Sequence, residues 1–261
     1  MIGAIIGDIA GSRFEFNRTN RIDFELFMPP CDFTDDTICT VAIADAIMNR
    51  NNDFRGALLY WCNRYTHPMG GYGGRFLQWL QNPVPYFSMG NGSAMRVSPC
   101  AWLYDDYTDV MDAARKQSAV SHDHPEGIRG AQCVADAILC ARKGGFLTTP
   151  KHIAESTLQR FNYETDCDIE QFRNVFYETM PETIPVAFWA FAGASDYESA
   201  IRRAIAIGGD ADTLGAITGS IAEAYWGVPR TLYDAAMDYL PDDMKTIIEQ
   251  FYKRTNYASI H

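Results

Sequence analysis

An all-α fold is what this sequence predicts, on three observations. Strong helix formers dominate most of the chain. Several of the segments they fill open on a recognisable start signal, and alternating strand patterns bounded by tight hairpin turns are hard to find. The 261 residues are enough for one large core or two modest domains. Connections are short and polar, with no Pro/Ser-rich linker, low-complexity tract or solenoid-period repeat, so one compact domain over residues 1–261 is expected. A hydrophobic share of 47% and a charged share of 21% place the chain among ordinary globular proteins.

The first predicted helix, Ile2–Gly11, carries Gly3, Gly7 and Gly11 four residues apart on one face. Each glycine costs a helix roughly 1 kcal/mol against alanine. Three on one stripe therefore predict the close approach of another backbone. Asp8 interrupts the same apolar helix and predicts a polar partner. Thr37–Met48 is apolar nearly all round, Asp45 being the exception, and reads as buried on more than one face. Further helices are predicted over Thr108–Val120, Gly127–Lys143, Lys151–Arg160, Ile169–Met180, Tyr197–Ile207, Leu214–Trp226, Arg230–Tyr239 and Asp242–Arg254. Thr108-Asp109 and Pro241-Asp242-Asp243 are typical openings.

A net charge of -11 opposes binding to nucleic-acid backbones and anionic membranes, which need clustered Lys and Arg. A phosphate-bearing ligand would have to be held locally, by backbone amides, a few arginines or metal ions. The seven cysteines are scattered, form no C-x-x-C pair and read as reduced core thiols. The start, Met1-Ile2-Gly3-Ala4-Ile5-Ile6-Gly7-Asp8, lacks a basic region and is broken by Asp8, and no stretch has the apolar length of a membrane span. A cytoplasmic protein is expected.

Two acidic motifs stand before apolar helices: Phe33-Thr34-Asp35-Asp36-Thr37 and Gly208-Gly209-Asp210-Ala211-Asp212-Thr213-Leu214-Gly215. Either alone reads equally as a helix cap, since Thr and Asp accept bonds from orphan amides and carboxylates suit the positive dipole end. A second carboxylate beside the cap exceeds what capping needs. Residues two apart do not share a helical face, so Asp210 and Asp212 converge only on irregular backbone, which Gly208-Gly209 permits. Two such motifs far apart in sequence point to a shared cation. All-oxygen ligands select a hard ion over zinc, and the spacing is not that of an EF-hand.

Other segments carry weaker signals. Glu15, closing Gly7-Asp8-Ile9-Ala10-Gly11-Ser12-Arg13-Phe14-Glu15, reads as readily as a solvated surface group. Ser88-Met89-Gly90-Asn91-Gly92-Ser93-Ala94-Met95-Arg96 is a glycine-rich turn entering a helix, able to offer amides to phosphate or hydroxyl groups. Met69-Gly70-Gly71-Tyr72-Gly73-Gly74-Arg75 is a ligand-covering loop or a plain connector. Ser121-His122-Asp123-His124-Pro125 precedes a small-residue helix, and spacing alone assigns it no catalytic triad.

In this order, Gly7–Glu15, Phe33–Thr37, Gly90–Arg96, Ser121–His122 and Gly208–Gly215 resemble the ADP-ribosylglycohydrolase family, which includes the dinitrogenase reductase-activating glycohydrolase. The resemblance spans nearly the whole chain, and its paired Thr-Asp-Asp and Asp-x-Asp-Thr motifs are its most specific part. It implies an all-α orthogonal bundle with two Mg²⁺ or Mn²⁺ ions, liganded by Thr34, Asp35, Asp36, Asp210, Asp212 and Thr213. It also implies that the ions grip ribose hydroxyls, that glycine-rich loops hold the pyrophosphate, and that Asn91, Gly92, Ser93 and His122 line the ADP-ribose cleft. Glu15 matches a carboxylate that some members use in metal gating or catalysis. Ala211, Ser93 and Ser121 stand where close variants differ, and none removes a ligand.

The implied reaction is hydrolysis between the ribose anomeric carbon and an acceptor, through an oxocarbenium-like state, on an ADP-ribosylated protein or another ADP-ribosylated compound. Glu15 is the assigned general base, with Asp35 and Asp36 as rivals, because metal-bound carboxylates are poorer bases. The competing expectations are a non-catalytic relative that binds ADP-ribose or metal, and a different two-metal hydrolase such as a phosphohydrolase.

Overall fold

In the computed structural model, which describes residues 1–144 and 147–255, helices account for the ordered elements and no strand exceeds an isolated bridge. The N-terminal third holds α1 (Ile2–Ser12), α2 (Asp35–Asn49), α3 (Phe54–Arg64) and α4 (Gly74–Gln81). The middle holds α5 (Gly92–Met95), α6 (Ser98–Leu103), α7 (Tyr107–Ala119), α8 (Pro125–Gly144) and α9 (Pro150–Arg160). The remainder holds α10 (Met180–Ala192), α11 (Tyr197–Ile205), α12 (Ala211–Trp226), α13 (Arg230–Tyr239) and α14 (Asp242–Thr255). The all-α expectation holds. One hydrophobic cluster runs through all of these helices, and residues 145–146 and 256–261 of the predicted single domain lie outside the described residues.

The glycine stripe finds its backbone partner in α12. A Cβ on Gly3 would lie 2.3 Å from the Gly219 carbonyl oxygen. On Gly7 it would lie 2.0 Å from the Gly215 carbonyl oxygen, and on Gly11 2.3 Å from that of Ala211. Ascending residues of α1 meet descending residues of α12, so the two helices run antiparallel. The reverse contacts are equally tight, since a Cβ on Gly215 would sit 2.4 Å from the Gly7 oxygen and one on Gly219 2.2 Å from the Gly3 oxygen. Both stripes keep a four-residue period, so small residues interlock along the whole crossing. What the glycines cost in helix propensity is offset by dispersion and Cα–H···O contacts between two backbones.

Asp8 has its polar partners. It accepts from the Thr34 and Thr37 amides, each at 3.0 Å, and from both threonine hydroxyls, Thr34 Oγ1 at 2.7 Å. A carboxylate inside α1 thereby fastens the first turn of α2. Asp45 is likewise engaged, by Asn49 at 2.9 Å, Arg50 at 2.6 Å and the Trp61 indole at 2.9 Å, so α2 is buried on nearly every face with its mid-helix charge paired. The described cysteines are all free, and five of them are buried.

One predicted helix is not formed. Over Ile169–Met180 only a 3₁₀ turn, Ile169–Gln171, appears, and α10 starts where the predicted element ends. Asn174 takes φ +61° and its amide donates to the Ile207 carbonyl. Beyond it the chain extends, with Asn91 donating to the Glu178 carbonyl and Met180 donating to that of Met89. These bonds to the Ser88–Asn91 turn satisfy backbone groups that a helix would have used internally, so tertiary pairing overrides local propensity. Pro181, in the first turn of α10, marks the real start.

Gly7→Ala or Gly215→Ala should cost about 3 kcal/mol in urea denaturation, because each new methyl meets backbone rather than a movable side chain. Gly74→Ala, with nothing within 4 Å of its added Cβ, should stay within about 1 kcal/mol of the parent. Equal stability of all three variants would mean that the helices are not in backbone contact.

Candidate active site

The α1–α12 crossing ends where α2 also begins, and there the acidic motifs meet. Thr34 is the N-cap of α2: its Oγ1 accepts from the Asp36 amide at 3.2 Å. With the cap filled by Thr34, the Asp35 and Asp36 carboxylates are free for other use. Asp210 is the N-cap of α12 but makes no capping bond. It accepts instead from the Asn91 side-chain amide at 2.7 Å. Gly208 takes φ +78°, so α12 starts only at Ala211 and Asp210 lies outside its helical rotation. Asp210 and Asp212 therefore face the same space despite their two-residue separation. The capping reading holds for Thr34 and fails for the four aspartates.

Glu15, Asp210 and Asp212 offer carboxylate oxygens that all lie within 4.8 Å of one another. Glu15 Oε2, Asp36 Oδ1 and Asp212 Oδ1 are buried without a hydrogen-bond partner. Orphaned buried carboxylate oxygens are costly, and a cation is the partner that satisfies several at once. Charge says the same. Burial, then the charges of Asp212, Asp8 and Glu178, push Glu15 up to about 8. Burial drives Asp210 up to about 7, against the hydrogen bonds from Asp212 and Asn91. Asp35, Asp36 and Asp212 are all raised well above the ordinary carboxylate range, by burial first and then by neighbouring negative groups. Four or more mutually repelling carboxylates, all oxygen donors, fit one or two hard dications.

The cluster floors a cleft of about 330 Å³. The same cleft carries cationic and polar groups. Arg96, 1% exposed, is held only by neutral acceptors: Nε by Gln117 Oε1, and Nη2 by the Gln117 carbonyl and Ser121 Oγ, each at 2.9 Å. Arg75 sits over the Tyr86 ring, 4.8 Å from its centroid, and donates to the Tyr86 carbonyl. His122 is buried, its Nδ1 is 2.8 Å from Ser121 Oγ, and burial with the nearby charges of Arg96 and Arg75 keeps it neutral. Its Nε2 would lie 3.0 Å from a Cβ on Gly92, so that glycine keeps the imidazole open to the cleft.

Of the predicted site residues, Glu15, Asp35, Asp36, Asn91, Gly92, His122, Asp210, Asp212 and Thr213 all line this cleft. Two stand behind it. Thr34 is fully buried between Asp8 and Asp36, and the Ser93 hydroxyl donates to the Gly127 carbonyl at 2.9 Å. Thr213 Oγ1 lies 3.4 Å from Asp36 Oδ2, bridging the two motifs. The glycine-rich loop before Arg75 covers the cleft: Gly70 takes φ +75°, and a Cβ there would lie 2.6 Å from Glu15 Oε2. Sequence reasoning gave no role to Arg75 or Arg96 and passed over Phe16, Phe176 and Glu178 at the mouth. The signal for Arg75 and Arg96 was their place at the end of glycine-rich turns; for Phe176 and Glu178 there was none, because they were placed in a helix.

Among the described residues, this is a helical bundle whose two acidic helix starts meet in one cleft over a carboxylate cluster. The ADP-ribosylglycohydrolase family model matches residues 1–259, and the chain belongs to that family. It is similar to ADP-ribosylhydrolase ARH3 of Danio rerio, with 23% identity over 87% of this chain and 82% of that protein. It is similar to ADP-ribosyl-[dinitrogen reductase] glycohydrolase of Rhodospirillum rubrum, with 22% identity over 87% and 84%. ADP-ribosylarginine hydrolase Tri1 of Pseudomonas putida shares 23% identity over 87% of this chain and 70% of its own. A solved chain described as an ADP-ribosylglycohydrolase-related protein complex superposes with a TM-score of 0.75 at 23% identity, covering 97% of this chain and 95% of that one, which bears out the bundle. Family membership supports hydrolysis of ADP-ribose linkages as the class of reaction. Among the described residues, no helix is long and apolar enough to cross a membrane.

The raised carboxylates fix a sign for stability. In the unfolded chain they ionise near pH 4, so the native metal-free protein holds extra protons up to about pH 8 and loses stability as pH rises. His122, kept neutral, pulls the other way only below about pH 6.5. In EDTA the melting temperature should therefore fall between about pH 6.5 and 8.5, on the order of 5 °C, and Mg²⁺ or Mn²⁺ should abolish most of the fall. A melting temperature that is flat in EDTA and indifferent to both ions would remove the crowded cluster.

Proposed function

We propose that this chain is a divalent-metal-dependent hydrolase that releases ADP-ribose from an ADP-ribosylated acceptor. The observation that carries the reading is the set of buried, unpartnered oxygens on Glu15, Asp36 and Asp212 in a cleft that Arg75 and Arg96 also line. One cleft thus offers both a cation site and arginine charge, which suits a ribose diol joined to a pyrophosphate. Asp35, Asp36, Asp210, Asp212 and Thr213 would hold two Mg²⁺ or Mn²⁺ ions. Thr34 would join them through the hydroxyl lone pair that the Asp36 amide leaves free. When bound, the ions neutralise the cluster and fix the ribose hydroxyls by Lewis-acid contact.

The chain's own residues supply the rest. Asn91 ties Asp210 at 2.7 Å to Thr183 at 3.2 Å, holding that carboxylate in one orientation. With the cluster neutralised by bound metal, Glu15, half-buried with one oxygen unpartnered, would be ionised and would take the proton of the attacking water as the anomeric bond breaks. The Gly70 backbone crosses above it and limits access of bulk water. Neutral His122 gives a hydrogen bond without adding charge to the site.

The mouth favours a flat cationic acceptor. Phe16 is 74% exposed and stacks on Phe176 with ring centroids 6.0 Å apart, and exposed Glu178 lines the same opening. Aromatic faces with a carboxylate suit a guanidinium, so ADP-ribosylated arginine is the acceptor this arrangement fits.

Excess EDTA should abolish ADP-ribose release from an ADP-ribosylated arginine substrate, and Mg²⁺ or Mn²⁺ should restore it. Asp212→Ala should lose metal affinity and more than about 100-fold of activity together. Glu15→Gln should keep the metal while turnover drops about 10²- to 10⁴-fold. Full activity in EDTA, binding without turnover, or release of phosphate or nucleotide in place of ADP-ribose would each defeat the proposal. Glu178→Gln should raise KM for an arginine-linked substrate about three- to tenfold and leave a serine-linked one unchanged; equal effects on both would detach Glu178 from acceptor choice.

A further inference from the structure

A second cavity, of about 210 Å³, lies away from the cleft between α9 and α10. Thr183 of α10 faces Asn91, whereas Pro185, Phe188, Trp189 and Ala192 line this cavity from the far side of the helix. Leu158 and Ala154 of α9 add further apolar surface. The one guanidinium lining it belongs to Arg203, half-buried at the end of α11.

Arg203 is unlike most arginines of this chain. Arg21, Arg50, Arg64, Arg115, Arg129, Arg142, Arg160, Arg173, Arg202 and Arg230 each have a carboxylate within ion-pair distance. Among the described residues Arg203 has none, although acidic side chains outnumber basic ones 33 to 22. Its guanidinium carbon stands 4.1 Å from the Trp189 ring centroid, and its Nε donates to the Ala190 carbonyl at 3.2 Å. Stacking and the single Nε bond fix the plane of the group and commit neither Nη atom. Gly193 makes room for it: a Cβ there would lie 2.3 Å from Nη2. Burial lowers the Arg203 pKa, the mark of a cation that has lost water without gaining an anion.

We propose that this cavity is a binding site for a small organic carboxylate with a flat apolar body. The guanidinium fork takes the carboxylate in a two-point contact, and the body lies against Cys167, Trp189 and Ala192, the partly exposed apolar lining. A single fixed cation matches a monoanion. A phosphate dianion would lack a second fixed cation, since Lys151 at the rim is exposed and stands 3.7 Å from Glu155. The mostly apolar lining offers an inorganic anion little beyond the one guanidinium.

Benzoate is the probe, titrated into the full chain with Trp189 fluorescence and calorimetry as readouts. Saturable one-to-one binding is expected, with a fluorescence change that Trp189→Phe removes. Arg203→Met should weaken binding at least about tenfold, and Gly193→Ala should do the same with the charge retained, because the new methyl displaces the fork. Each variant's melting curve separates lost binding from lost folding, and either variant suffices if the other does not fold. Binding of benzyl alcohol as tight as that of benzoate, unchanged affinity in both variants, no saturable binding of benzoate, or binding of inorganic phosphate in preference to benzoate would each overturn the site.

Discussion

Backbone contact between α1 and α12 is the constraint on which the rest of the structure depends. Side chains on both helices would hold the axes apart by the thickness of two layers of atoms. Glycines at positions 3, 7 and 11 against Ala211, Gly215 and Gly219 remove those layers along the full crossing. The consequence falls at its end. A Cβ on Gly11 would come within 2.7 Å of the Asp212 Cα, so the last turn of α1 and the first of α12 share the same few ångströms. Glu15 follows α1 directly and Asp210 precedes α12. A wider crossing would separate those carboxylates, and the cleft would lose the convergence that makes it a cation site.

Asp8 carries the same constraint to the third acidic segment. It lies on α1 one residue beyond Gly7 and holds Thr34 and Thr37, so α2 starts at a fixed height against the glycine crossing. Burial raises Asp8 to about 6 even though four hydrogen bonds pull it down. The chain therefore accepts a desolvated carboxylate in its core to place Asp35 and Asp36. A buried charge with every bond satisfied is tolerable, and it is specific in direction. The orphaned oxygens of the cleft differ from Asp8 in this respect: their neighbours are other acids, not donors.

Much of this was legible in the residues. A four-residue glycine period has few causes in a soluble helix, and it foretold the α1–α12 contact. Asp8 and Asp45, each a lone acid in an apolar helix, foretold their bonding partners by the cost of leaving a buried carboxylate unpaired. The two acidic motifs gave the cleft floor, and the capping alternative was settled by geometry no sequence contains: Thr34 fills the cap of α2, and Asp210 at its N-cap turns to Asn91. Phe176 and Glu178 at the mouth were illegible for another reason. Both occupy a stretch with helical propensity that is extended by bonds to residues 89–91, some ninety positions away. Periodicity reports only local preference, and these bonds are long-range.

Whole-chain charge says nothing of how charge is arranged within the cleft, and the arrangement follows from where each cation spends its charge. Arg50 and Arg160 are spent on Asp45 and Asp136, inside ion pairs that present almost no field outward. Arg96 is more deeply buried than either, yet it is satisfied by an amide, a carbonyl and a hydroxyl. Neutral acceptors meet its hydrogen-bonding needs and leave its charge intact, and in a buried setting that charge acts over a longer range than it would in water. With burial, it depresses the basicity of His122, and it lines the same cleft as the acids. A protein of net charge -11 can thus keep a cationic group beside the acids of its cleft, because an arginine held by neutral partners retains its charge.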